Sequence, residues 1–114
     1  MKVGEEILNY NSQVDITKTI RIIEGLKSEL LTNVAQLYGN MANGRAVEKE
    51  ENSNVLADMV TIIYLLAWKM GISYEEVDKK LLDKIDLNIL EEKDEEWVKQ
   101  LITLSDYFEK RNSR

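Results

Sequence analysis

The chain has 114 residues, with 44% apolar and 32% charged side chains and a formal net charge of −6. That is enough for one modest core, and the acidic balance excludes a surface that coats nucleic acid by neutralising phosphates. There is no cysteine and no histidine, which removes disulfides, thiolate nucleophiles, imidazole bases and zinc–thiolate sites. Any metal would therefore be a hard ion held by oxygen, magnesium or manganese first.

The absence of proline and the presence of only five glycines favour long helices over a turn-rich sheet. No strand-like alternation occurs, so the fold class is all-α. Residues 1–14 show no clear period and read as an N-terminal arm, with a single helical domain over 15–111. The opening MKVGEEIL lacks the basic start and apolar run of a signal peptide. The expected location is cytoplasmic, with no membrane and no nucleic acid as partner.

Asp15 reads as an N-cap. After it Ile16, Ile20, Ile23, Leu26 or Lys27, Leu30, Val34, Leu37 and Met41 follow in steps of three and four. That spacing draws one apolar stripe along a helix over 16–38. GNMANG, with Gly39 and Gly44, then supplies the turn.

A second helix is expected over 46–70, polar and acidic in its first turns and apolar on nearly every face afterwards, hence central and buried. Gly71 stops it. Ser73 with Glu76 forms a capping box that opens a third helix through Val77, Leu81 and Lys84 toward Asn88. Asp94 caps a fourth, with Trp97, Leu101, Leu104 and Phe108 on one face and Val98 and Ile102 beside them. Four such helices make a bundle, and a core this small is expected to be completed by homodimerisation.

Asp58 is the most informative side chain. It sits alone in the apolar stretch LADMVTIIYLLAWKM, where an ionisable group must reach water, find a partner or hold a cation. On the same helix Glu51, Asn54 or Val55, and Asp58 fall at i, i+3/i+4 and i+7, which puts Glu51 and Asp58 about 10.5 Å apart along the axis. On the first helix Glu29 is followed one turn later by Thr32 and Asn33. Antiparallel packing would face these oxygen-bearing groups toward one another.

At this point the chain resembles the MazG-like family of all-α nucleoside triphosphate pyrophosphohydrolases. The resemblance is carried by LADMVTIIYLLAWKMGISYEEVDKKLLDKIDLN, an acidic helix, a glycine and a capped helix in order. DITKTIRIIEGLKSELLTNVAQLYGNMANG looks like the first helix of a short Firmicutes-type subgroup. The family's active members hold magnesium with an E-x-x-E pair on the first helix and an E-x-x-D pair on the second. The resemblance assigns Glu29 to one carboxylate of the first pair, with Thr32 where its partner should stand. It assigns Asp58 to the aspartate of the second, with Val55 replacing the glutamate.

Two of four metal carboxylates are thus missing, and the metal motif is degenerate. Thr32, Asn33 and Asn54 could supply neutral oxygens, and Glu51 could reach in from earlier on the helix. The resemblance also implies phosphate contacts from the third helix, for which Lys80, Lys84 and Asn88 stand at four-residue spacing. It implies a nucleoside triphosphate as ligand, magnesium or manganese as cofactor, and doubtful hydrolysis.

Plainer readings stand beside these. Asp58 can serve as a structural hydrogen-bonding or subunit-contact group, and Glu29 as a solvated side chain. Glu51 belongs to a solvated first turn, and Lys80 and Lys84 to the charged surface. Tyr38, Tyr64, Trp68 and Trp97 read as core or interface. The alternative function is a non-catalytic helical dimer acting as a regulator or adaptor.

Overall fold

The computed structural model describes the backbone over residues 2–42 and 49–112, and side chains over 13–41 and 49–111. These residues form four helices in the order α1 (Lys2–Ala42), α2 (Lys49–Lys69), α3 (Tyr74–Glu91) and α4 (Glu95–Asn112). The fold is all-α, as the unpunctuated sequence predicts. The chain divides into two compact units, Met1–Gly71 and Ile72–Arg114, one holding α1 and α2 and the other α3 and α4. Among the described residues, no single helix is long and apolar enough to cross a membrane.

In the first unit α1 packs on α2. Only residues 43–48 connect them, a reach of at most ~21 Å. A 21-residue helix is ~30 Å long, so the connection cannot carry the chain back for a parallel pairing. The pair is an antiparallel hairpin.

Among the described residues, the less exposed positions of α1 are Thr19, Ile22, Ile23, Leu26, Leu30, Asn33, Val34, Leu37 and Asn40. Those of α2 include Asn52, Val55, Met59, Ile62, Leu66 and Lys69. Taking 23, 26, 30, 33, 37 and 40 against 52, 55, 59, 62, 66 and 69, both series step by three and four. That is the heptad seam of a two-stranded coil. Val55 and Ile62 are its most enclosed members, 4% and 6% exposed.

Three expectations for this unit are corrected. Asp15 does not start α1, which runs unbroken from Lys2. A capping residue begins a helix only where the preceding chain cannot continue one, and EEILNYNSQV contains no breaker. At the other end Gly39, Asn40, Met41 and Ala42 remain helical, while the rest of GNMANG and the expected start of α2 at 46 lie outside the described residues.

The third correction concerns α2, which is not enclosed on every face. A hairpin covers one stripe only, so Leu56, Val60, Ile63 and Trp68 are exposed despite their hydrophobicity. Ahead of the seam α1 continues for about twenty residues, ~30 Å, and Val14, Ile16 and Ile20 on it are also exposed.

Gly71 ends this unit with φ of 77°, the left-handed conformation that glycine adopts without a Cβ clash. The second unit starts with the predicted cap, in which Ser73 Oγ accepts from the Glu76 N–H at 3.1 Å. α3 extends three residues beyond Asn88, to Glu91.

The link to α4 is closed by carboxylates. Glu92 Oε1 accepts from the N–H groups of Lys93 and Asp94. Asp94 Oδ1 accepts from those of Glu96 and Trp97, at 3.0 and 3.1 Å, as an N-cap should. Ile85 is the buried centre of α3. The inward face of α4 is Val98, Leu101, Ser105 and Phe108, while Trp97 and Leu104 are exposed. The expected face is therefore turned by about one position. Two apolar stripes lie side by side on α4, and the small buried Ser105 lets its helix approach α3 where Leu104 would hold it off.

Glycine substitutions separate these local effects. Gly71→Ala is expected to lower unfolding free energy by ~1 kcal/mol through its positive φ. Gly25→Ala is expected to raise it by ~0.5–1 kcal/mol, because nothing lies within 4 Å of an added Cβ in mid-helix. Urea denaturation of both variants measures the two signs.

Candidate functional site

The side of the α1–α2 seam carries a cleft of about 460 Å³. Ser28, Glu29, Thr32 and Asn33 of α1 line it, with Asp58, Thr61, Ile62 and Leu65 of α2. Their spacing explains why they converge. On α1 the four residues occupy two successive turns, and on α2 the steps of three and four keep one face toward the hairpin. Ile62 reaches the cleft from the seam and gives it an apolar floor, whereas Glu29 and Asp58 stand on the exposed flank, one from each helix.

Two hydroxyls in the cleft are oriented by their own helices. Thr32 Oγ1 donates to the Ser28 carbonyl at 3.0 Å, and Thr61 Oγ1 to the Ala57 carbonyl at 2.9 Å. With their protons spent on backbone, these oxygens present lone pairs outward and act there as acceptors. No lysine or arginine is among the lining residues. The site is therefore a set of oxygen acceptors with two carboxylates and no built-in counter-charge, an environment that attracts a cation.

That donor set fits a magnesium-type ion in the manner such ions use most often, one or two carboxylates with the remaining positions left to water and phosphate oxygens. It does not form a closed protein cage. Among the described residues no group of three or more acidic, histidine or cysteine side chains could hold a metal by itself.

Of the residues expected from the sequence, Glu29, Thr32, Asn33 and Asp58 come together. Glu51 and Asn54 do not line the cleft. Glu51 lies two turns before Asp58, ~10.5 Å along the axis. Lys80 and Lys84 belong to the second unit. There they border a separate groove along α3, about 730 Å³, with Ile72, Val77 and Leu81 as its apolar part. Asn88 is outside that groove, and its carbonyl accepts the Glu92 N–H that ends α3.

Sequence reasoning overlooked Ser28 and Thr61. The signal for Thr61 is its place one turn after Asp58 on the same helix.

The two positions at which the resemblance implies further carboxylates differ physically. Thr32 is exposed and lines the cleft, so a carboxylate at that position would face it. Val55 is buried in the seam and is not part of the cleft. Its position in this structure is a packing position.

Two helical hairpins, one with an oxygen-lined cleft beside its seam, make this an all-α protein. The chain belongs to the MazG-like family, whose model matches residues 16–101. No curated protein and no solved structure matches it.

Installing carboxylates tests the distinction between the two positions. Thr32→Glu is expected to tighten manganese binding at least about tenfold, read by titration calorimetry, because it adds a charge within the cleft. Val55→Glu is expected to lower stability by several kcal/mol in thermal denaturation, with no gain in manganese affinity, because it buries a charge in the seam.

Proposed function

We propose that this chain is a nucleotide-binding member of the MazG-like family that takes a nucleoside triphosphate as its divalent-metal complex and hydrolyses it poorly. The observation that carries the reading is the convergence of Glu29 and Asp58, from two different helices, on one cleft whose remaining oxygens are neutral. A bound magnesium or manganese ion would neutralise phosphate charge and lower the pKa of a bound water. Glu29 and Asp58 hold the cation side of the complex. Thr32 and Thr61 offer hydroxyl lone pairs as acceptors around it, Asn33 an amide, and Ile62 and Leu65 apolar surface. Two carboxylates rather than four leave less negative potential to hold the ion, so affinity and turnover fall together.

Within this reading Lys80 and Lys84 are candidates for phosphate contacts, since such contacts need little more than a point charge on a flexible stem. The protein is proposed to act as a homodimer, with the exposed apolar side of α2 at Leu56, Val60 and Ile63 as part of the interface. Exposed apolar residues in each unit taken by itself, those on α2 and, separately, Trp97 and Tyr107 on α4, favour a second reading in which the hairpins form a non-catalytic adaptor or regulator.

A panel of standard and modified nucleoside triphosphates with magnesium or manganese distinguishes them. The nucleotide reading expects metal-dependent thermal stabilisation by at least one triphosphate, with any pyrophosphate release abolished by Asp58→Asn. An unchanged melting temperature across the whole panel would favour the adaptor.

A further inference from the structure

The cleft shows how the two sides of the α1–α2 hairpin are divided. Glu29 and Thr32 stand immediately before the seam residues Leu30 and Asn33, and Asp58, Thr61 and Leu65 immediately before Met59, Ile62 and Leu66. One residue is a rotation of ~100° about the helix axis. In an antiparallel pair, residues that precede seam positions therefore meet on one side, and residues that follow them meet on the other.

The following residues are Lys27, Leu31, Val34, Tyr38 and Met41 on α1, with Leu56, Val60, Ile63, Ala67 and Met70 along α2 and at its end. Both sets step by three and four. Each helix thus carries a second, nearly all apolar stripe, and the two stripes lie side by side on the face opposite the cleft. Leu31 and Tyr38 are 71% and 75% exposed, and Met41, Leu56, Val60, Ile63 and Met70 are exposed with them.

An isolated chain leaves roughly 700 Å² of surface on these side chains, more than the largest apolar patch of a monomer usually reaches and close to the ~800 Å² each partner gives to a standard interface. Stripes at this spacing suit the ridges of other helices. Charge says whose. Lys27 is the one charged residue in the two stripes, and at their edge it is bridged to Glu24 at 2.7 Å. A net charge of −6 sets most of the surface against its own copy, whereas on this face two copies meet with no carboxylate opposite another.

We propose that the occupant of this face is a second copy of the chain, seated hairpin against hairpin in a four-helix bundle. It rests on the homodimer reading above and adds Leu31, Val34, Tyr38 and Met41 of α1 to the interface. Both clefts then face outward, and each is lined by a single chain.

Sedimentation equilibrium of the full chain, without metal or nucleotide, tests the assembly. The natural sequence is expected to dimerise. Leu31→Glu on α1 and Ile63→Glu on α2 are each expected to weaken the dimer at least about a hundredfold, because every dimer then buries two charges. Gln36→Glu adds the same charge at an exposed position on the cleft side, outside the cleft lining, and is expected to change the dissociation constant by no more than about twofold. Leu31 and Ile63 are already exposed in the single chain, so circular dichroism is expected to show full helicity in both variants.

The chain has no cysteine, so single cysteines give a second measurement. Val60→Cys, central on the face, is expected to cross-link two copies through a bis-maleimide, and Gln36→Cys is not. The cross-link decides the matter where a glutamate variant loses helicity. A protein monomeric at every concentration overturns the proposal together with the homodimer reading and leaves the face to a different occupant. A dimer that survives both glutamates, or that Gln36→Glu weakens equally, overturns the proposal alone, because the copies then meet elsewhere. A dimer weakened by Ile63→Glu and untouched by Leu31→Glu overturns it too, since the interface is then α2 without α1. No readout involves nucleotide, so loss of the nucleotide reading leaves the result standing.

Discussion

The apolar seam between α1 and α2 is the constraint on which the rest of the first unit depends. Burial along the 3–4 spacing holds two helices at fixed rotation about their own axes, and rotation decides which side chains face the partner and which stand on the flank. Val55 and Asp58 are only three residues apart, yet one lies within the seam and the other at the edge of a cleft. A carboxylate on the flank keeps its hydration, and a neighbouring apolar floor supplies shape without burying the charge. The chemistry available to the site follows from that division.

The electrostatics of the cleft are one-sided. Glu29 and Asp58 have no basic neighbour among the lining residues, and the threonine hydroxyls spend their protons on their own helices. Such a site favours a cation. The lysines that could meet phosphates directly are on α3, in the other unit. The two positions at which the resemblance implies further carboxylates are of unlike kinds. Thr32 is exposed at the cleft, while Val55 is packed into the seam of the hairpin. Only at the first could a carboxylate stand without burying its charge.

Local signals were the most legible. Gly71 as a helix stop, Ser73 and Asp94 as caps, and the stripe from Ile23 to Leu37 each depend on neighbours a few residues away, and the structure bears them out. Asp15 looked like a cap because its side chain suits that role. Whether a cap is used depends on the chain before it, and here that chain is helical. On α4 two adjacent apolar stripes compete, and sequence ranked them by hydrophobicity, which favoured Trp97 and Leu104. Packing ranked them by fit, and the small Ser105 won the buried position.

By itself the sequence determined the helical class, the family and the two carboxylates worth attention, because periodicity, capping chemistry and residue type are properties of short stretches of chain. Tertiary structure alone decided that Glu29 and Asp58 share one cleft and that Val55 belongs to the seam. Those outcomes depend on the rotation and register of one helix against another. These are set by the summed packing of many residues across two distant segments, and no local pattern encodes that sum.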